Sequence, residues 1–426
     1  MEQPNTKPPS GMRDFLPGEV QARARVLSAV QRVFESYGFA PLETPALERL
    51  EILQGKYGEE GDRLIFKVAQ RGARAGEDPD LALRYDLTVP LARVVAEYGD
   101  KLGKIFKRYH IAPVWRADRP GRGRFREFRQ CDIDVVGPSF GLADAEVIQV
   151  VTDALAAVGL TGFEVRLNSR KVLQGLMEAF GIASGLEAGV LTALDKVDKV
   201  GWDGVGAELV AERGLDQAAA AALTDAARDV GEVRRVVAER SAVGREGLAE
   251  VDAIAEALPG RTVFSPHLAR GLAYYTGPIF ETYVEGFPSA IASGGRYDGL
   301  VGMFAGRQIP AVGGSLGIER ILLLVAAEPG AVTSPARVLV TVWDAGARVS
   351  SMVLAADLRA MGIPAEVYLG DDRMGEQLGY ASSRAIPFAV IQGPRERDRG
   401  VVAVRDLATR TQAEMAPGAL AGYLKA

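Results

Sequence analysis

Two β-patterned runs, KIFKRYHIAPVWRA (104–117) and FRQCDIDVVG (128–137), flank a stretch, DRPGRGR, that holds Pro120, Gly121 and Gly123. Proline and glycine packed this closely end regular structure, so the chain must turn here, and two strands joined by such a loop pair antiparallel. That hairpin constrains the rest of the molecule, because its strands need a sheet around them to bury their apolar residues. The hairpin is also basic. Nine Lys and Arg fall within residues 104–129, against Asp118 and Glu127. Arginine forks bind phosphate through paired hydrogen bonds. Arg116 precedes the loop, Arg124 and Arg126 close it, and Phe128 follows it. A hairpin can bring Arg116 beside Phe128, and an arginine next to an aromatic ring suits a phosphate with a flat base attached. The same residues also describe a solvated hairpin with surface arginines.

The remaining chain alternates helical and strand patterns. After a polar, Pro-rich arm at 1–12, Val26, Leu27, Val30, Val33, Phe34 and Tyr37 form one helical stripe, with Gly38 as its stop. Residues 39–48 are Pro-punctuated and read as strand and turn. Residues 81–93 mix strand-like alternation with a turn. Val147, Ile148, Val151 and Leu155 predict a helix over 143–158, closed by Gly159. From about 183 to 258 the composition turns to Ala, Glu and Asp with few aromatics, which predicts a small helical insertion. Strand patterns return at 263–283 and 289–300, followed by a predicted helix over 314–327. EPGAVTSPA (328–336) reads as a linker. Beyond it, β and α patterns alternate. They comprise VLVTVWD, a helix marked by Val349, Met352, Val353 and Ala356, AEVYL, a helix over 373–385, PFAVIQG, and a hairpin in VVAVRDLATRTQ. That order predicts a small α/β domain with a mixed sheet.

Composition narrows the possible chemistry. A chain of 426 residues accommodates two or three domains and needs no disulfide staples. Its one cysteine, Cys131, forbids a disulfide framework or a Cys-rich metal site within one chain and fits a reducing compartment. Two histidines, His110 and His267, are too few for a His-rich metal site. There is no apolar start typical of secretion and no apolar run of membrane-spanning length. The net charge of −5 argues mildly against a dedicated nucleic-acid-binding module, so any polyanion site must be a local patch.

The familiar nucleotide and hydrolase signatures are missing. There is no GxxxxGK[ST] loop, no GxGxxG after a strand, no HExxH and no GxSxG. In LARGLAYYTGPIFE (268–281), Arg270 near two tyrosines could meet a carboxylate or phosphate, or could form a structural ion pair in an aromatic core. SGGRYDG (293–299) has glycines that let backbone approach a ligand, and it also reads as an ordinary turn. GGSLGIERI (313–321) places glycines before a helix carrying Arg320, which could equally be a surface arginine. Cys131 reads as an inert buried residue, and both histidines as structural or surface residues.

Taken together these segments resemble the histidyl-tRNA synthetase family over essentially the whole chain. SGMRDFLP is similar to the family's opening. GFAPLETPALE, VWRADRPGRGRFREFRQCDIDVVG and GGSLGIERI resemble class II motifs 1, 2 and 3. LARGLAYYTG and SGGRYDG resemble the two histidine-specific signatures, and QLGYASSRAIPFAVIQG resembles the anticodon-binding domain. The likeness leans to the eukaryotic-type branch. One departure is Ala273, where the family pattern Arg-Gly-Leu-Asp-Tyr-Tyr has aspartate.

The resemblance implies an α+β fold: a class II catalytic domain with an antiparallel sheet over 1–327, the insertion about 183–258, a linker at 328–336, and an anticodon-binding α/β domain at 337–426. It implies ATP-dependent activation of L-histidine and transfer to tRNA(His), with Mg²⁺ assisting, in a cytoplasmic homodimer with no membrane association. Arg116 and Arg270 would flank the reacting phosphate and be catalytic. Arg116, Arg124, Phe128 and Arg320 would bind ATP. Asp86, Thr88, Arg116, Gln130, Asp134, Arg270, Tyr274 and Tyr275 would bind histidine. The alternative is a non-charging paralogue, such as a histidine-sensing regulatory subunit of ATP phosphoribosyltransferase.

Overall fold

The computed structural model describes residues 4–69, 79–121, 123–269, 274–325 and 334–425. Arg270, Ala273 and residues 328–333 of the expected linker lie outside them. The described residues fall into two compact units, one within Met1–Asp14 and Arg23–Val325, the other within Phe15–Ala22 and Ala326–Ala426.

The larger unit is built on an eight-stranded sheet. Its strands are β1 (Ala40–Pro41), β2 (Phe106–Trp115), β3 (Glu127–Val136), β4 (Phe163–Ser169), β5 (Thr262–Phe264), β6 (Pro278–Val284), β7 (Ala292–Arg296) and β8 (Ala311–Gly317). Their order is β1-β2-β3-β8-β7-β6-β4-β5. Pairing is antiparallel through the middle and parallel only at the two edges, β1 with β2 and β4 with β5. The basic hairpin forms as the sequence predicts, with Phe106 opposite Val136 and Trp115 opposite Glu127.

Helices cover one face of this sheet. Helix Leu142–Ala157 presents Val147, Ile148, Val151 and Leu155, and helix Pro17–Ser36 presents Val26, Val30 and Phe34, to a core shared with Cys131, Ile133 and Val135 of β3. Strand residues alternate faces, so every second residue of β3 turns away from that core. Five further helices occupy Glu187–Ala257. One of them, Ala242–Ala257, packs against helix Arg170–Ala179, where Gly175 and Gly244 meet so closely that a Cβ on Gly175 would stand 2.5 Å from the Gly244 Cα.

Two local expectations are corrected. Residues 81–93 contain only a short strand, Leu81–Leu83, and then a fifteen-residue helix, Thr88–Leu102. Pro90 lies in the first turn, where its missing N–H costs no helical bond. The strand pattern expected over 289–300 is present as β7, which takes the first four residues of SGGRYDG, and Asp298 and Gly299 lie in the turn that follows. The helix expected from 314 starts at Ile318, because GGSLG completes β8. Glycine-rich strands have low intrinsic β-propensity, and here close packing overrides it. A Cβ on Gly294 would sit 2.2 Å from the Gly313 carbonyl oxygen, and one on Gly313 would sit 2.0 Å from Asp134 Oδ1.

The smaller unit carries five strands, β9 (Val338–Val340), β10 (Ala365–Val367), β11 (Phe388–Ile391), β12 (Val402–Asp406) and β13 (Gln412–Met415). Their order is β10-β9-β11-β12-β13, parallel for the first three and antiparallel thereafter. This is the mixed sheet that the alternating pattern predicts. Helix Arg348–Ala360 corrects the stripe chosen from sequence. Val349, Met352 and Val353 are exposed, while Ser351, Leu354, Ala355 and Leu358 are buried. Both sets have helical spacing. The buried set wins because Leu354 and Leu358 reach Val338 and Ile363, and the Ser351 hydroxyl donates to the Thr341 carbonyl at 2.9 Å. Among the described residues no helix is long and apolar enough to cross a membrane.

Candidate active site

The face of the sheet opposite the helices holds the chemistry. On β3, alternation that sends Cys131, Ile133 and Val135 into the core turns Phe128, Gln130, Asp132 and Asp134 the other way. Strand β8 lies beside it with Gly317, Ser315 and Gly313 directly opposite Gln130, Asp132 and Asp134. Small residues facing polar ones leave a hollow. The result is a cavity of about 460 Å³ whose lining includes Thr88, Arg116, Arg124, Phe128, Gln130, Asp134, Tyr274, Tyr275 and Arg320. Nine site residues expected from sequence are thus brought together. Asp86 is buried beneath the same wall, and Arg270 lies outside the described residues.

One part of the cavity is cationic. Arg116 lies just past β2, and its Nε donates to the Tyr85 carbonyl at 3.1 Å. Its guanidinium stands 4.3 Å from the Tyr85 ring centre and 5.2 Å from that of Phe128. The expected neighbourhood of Arg116 and Phe128 is therefore present, and Tyr85 is a third member that sequence reading missed. Two aromatic faces and one backbone bond hold the fork in place while its remaining N–H groups stay available. Arg124 pairs with Asp118 at 3.1 Å and is well exposed, at the rim. Arg320 donates to the Ala290 carbonyl at 2.6 Å.

Another part is acidic and buried. Asp134 pairs with Arg108 at 2.6 Å, both side chains at most 3% exposed, and accepts a hydrogen bond from the Tyr297 hydroxyl. Asp86 Oδ1 accepts from the Tyr57 hydroxyl and the Val89 amide, each at 3.0 Å, the latter pinning the first turn of helix Thr88–Leu102. Burial raises all three carboxyls of this region, with the Arg108 guanidinium opposing it. Asp134 is pushed up to about 7 and Asp132 to about 6, and Asp86 is raised. Tyr274 packs at a tilt against Tyr275, ring centres 5.0 Å apart, and meets Tyr297 edge-on at 5.9 Å, walling this end. Tyr57, Arg108, Asp132, Tyr297 and Ser315 escaped sequence reading. For Asp132 a signal existed: it lies between Gln130 and Asp134 on the same strand face.

Gly313→Ala tests the packing that makes the hollow. Its Cβ would collide with Asp134, whose other partners are fixed, so a backbone shift is required. The expected result is a loss of about 1–3 kcal/mol, read as a lower midpoint in chemical denaturation. An unchanged midpoint would show that the two strands can part at no cost.

A family model described as histidyl-tRNA synthetase matches residues 11–321, and one described as anticodon binding domain matches residues 338–426. The histidine–tRNA ligase of Rhodopirellula baltica is 39% identical, with the alignment covering 98% of this chain and 96% of the relative. That of Gloeobacter violaceus is 43% identical, covering 97% of each. The crystal structure of histidyl-tRNA synthetase from Nostoc superposes with a TM-score of 0.81 at 32% identity, over 99% of both chains. At 22% identity, a Bacillus halodurans protein described as an ATP phosphoribosyltransferase regulatory subunit/histidyl-tRNA synthetase shares the fold, with a TM-score of 0.74 over 90% of this chain and 98% of that one. The larger unit has the catalytic fold of a class II aminoacyl-tRNA synthetase, and the smaller unit the α/β anticodon-binding fold. The chain belongs to the histidyl-tRNA synthetase family.

Proposed function

We propose that this chain activates L-histidine with ATP and transfers it to tRNA(His). The observation that carries the reading is one cavity with two chemistries: arginines and aromatic rings suited to a nucleotide, and buried carboxylates suited to an ammonium and an imidazole. In the first step the histidine carboxylate attacks the α-phosphorus. A bond forms from carboxylate oxygen to phosphorus, and the bond to the bridging oxygen of the β-phosphate breaks, releasing pyrophosphate. A carboxylate is already ionised at pH 7, so no general base is needed. The barrier is electrostatic, an anion approaching an anion. Arg116 and Arg270 are the residues assigned to neutralise it, Arg124 to hold the outer phosphates, and Phe128 with Arg320 to sandwich the adenine. Asp134 and Tyr275 would face the imidazole, Tyr274 would wall it, and Asp86, Thr88 and Gln130 would take the ammonium. In the second step a terminal ribose hydroxyl of the tRNA attacks the adenylate carbonyl carbon, and AMP leaves.

Mg²⁺ bound with ATP needs only one or two protein carboxylates, since phosphates and water complete its shell. Among the described residues there is no cluster of three or more His, Cys, Asp or Glu that could hold a metal by itself. Asp118 and Glu319 line the cavity and could supply oxygens to such a nucleotide-borne ion. The ion would supply positive charge to the phosphates. Residues 1–327 would form the catalytic domain with its insertion at about 183–258, 328–336 the linker, and 337–426 the part that meets the anticodon. A cytoplasmic homodimer is the expected working form.

The test is ATP–pyrophosphate exchange, run with histidine and with the nineteen other amino acids as controls, and with Ala273→Asp and Arg270→Ala alongside. Exchange with histidine alone is expected, tolerated at Ala273 and abolished in Arg270→Ala without loss of folding. No exchange in any form, with histidine still binding, would instead support a sensor. Wild-type exchange in Arg270→Ala would remove Arg270 from the mechanism.

A further inference from the structure

Asp132 has no role in the reading above, yet its surroundings are unusual for a carboxylate. It is 3% exposed and lines the cavity. Its Oδ1 has no hydrogen-bond partner among the described residues, while Ser315 hydrogen-bonds the carboxylate. His110, opposite on β2, is held neutral, because burial and Arg108 push its imidazole down to about 3. Arg108 uses one terminal nitrogen for Asp134 and for the Leu87 carbonyl at 3.1 Å, and its Nε and other terminal nitrogen are buried without partners among the described residues. Arg116 and Asp86 lie within electrostatic reach, and Arg116 is engaged by the rings of Tyr85 and Phe128. Asp86 Oδ2 and Gln130 Oε1 are likewise buried without partners among the described residues.

Acceptor oxygens buried without partners are costly, since buried polar atoms need partners and buried charges need counter-charges. A compact cation with several N–H donors would satisfy acceptors on different side chains at once. An ammonium is such a group, with three donors and one positive charge. Arginine would not substitute well, because its donors form a flat fork.

We infer that Asp132 is a further ligand of the substrate's α-ammonium, acting with Asp86 and Gln130. The assignment rests on the proposal that this cavity binds histidine. It also explains the small residue across the sheet: Ser315 fills the position opposite Asp132 without covering Oδ1.

The test is calorimetric titration of the full chain and of Asp132→Asn with three ligands. Histidine carries ammonium and carboxylate, histidinol keeps only the ammonium, and 3-(imidazol-4-yl)propionate keeps only the carboxylate. Hydrogen bonds to charged groups contribute enough that losing this one should weaken histidine and histidinol by about ten- to a hundredfold. The propionate should change by less than about threefold. Histidine KM in pyrophosphate exchange should rise with kcat little altered. Asp132→Ser, which removes the carboxylate by a different shape, should give the same ligand pattern if the asparagine variant folds poorly. Equal weakening of all three ligands would make Asp132 a structural residue, and no weakening would remove it from the site. Failure of the unaltered chain to bind histidine or histidinol would overturn the underlying reading, and this assignment with it.

Discussion

Arg116→Ala is expected to lower histidine-dependent pyrophosphate exchange by a factor of about 100–1000, with the fold intact. Removing one preorganised donor that faces developing charge typically costs about 2.7–4 kcal/mol in the transition state. Arg116 is preorganised in that sense: its Nε is tied to the Tyr85 carbonyl, and its plane is bracketed by Tyr85 and Phe128. Little of this anchoring carries the core, so melting should change little. Arg116→Lys keeps the charge but loses the fork, and it should recover only part of the rate. Full recovery by lysine would mean that charge alone matters at this position. Unchanged exchange in the alanine variant would move the phosphate contact to another arginine.

The second large effect concerns stability. Arg296 is 1% exposed at its side chain and forms a two-pronged pair with Asp144, Nε to Oδ1 at 2.8 Å and a terminal nitrogen to Oδ2 at 2.6 Å. It also reaches Asp298 at 2.8 Å and the Pro138 carbonyl at 3.2 Å. The bond joins β7 to the first turn of the helix Leu142–Ala157. Arg296→Ala leaves the Asp144 charge buried without its counter-charge, with the Gly141 amide still donating to Oδ2 at 3.0 Å, which costs about 3–5 kcal/mol. The expected outcome is a much lower denaturation midpoint or insoluble protein. Replacing both partners by apolar residues, Arg296→Met with Asp144→Leu, should restore much of the loss, because no charge is then stranded. If the double variant were no better than the single one, the damage would come from lost packing around the guanidinium.

Sequence and structure agree where information is local. The hairpin around DRPGRGR was legible because its turn residues and strand patterns lie within one continuous stretch, and the approach of Arg116 to Phe128 follows from that geometry. The insertion's helical character was legible from its composition. Where distant segments meet, sequence patterns mislead. GGSLG looks like a helix start, yet it is a sheet strand, and its glycines, with those of the neighbouring SGGR, exist because Phe280, Asp134 and the adjoining backbone leave no space for a Cβ. The basic cluster did not reveal which arginine turns inward: Arg108 is buried against Asp134, while Arg124 stands at the rim. Tyr57 and Tyr297 come from far along the chain to Asp86 and Asp134, a convergence that no spacing rule encodes.

Burial raises the carboxyls of Asp132 and Asp134 toward neutrality, against the pull of Arg108. Because both titrate higher in the folded chain than in the unfolded one, their contribution to stability is fully present below about 3.8 and is lost as pH climbs through about 6 and then about 7. A cation bound beside them would favour their charged forms, so uptake of the amino acid is expected to release protons, and the heat of binding should then vary with the heat of ionisation of the surrounding buffer.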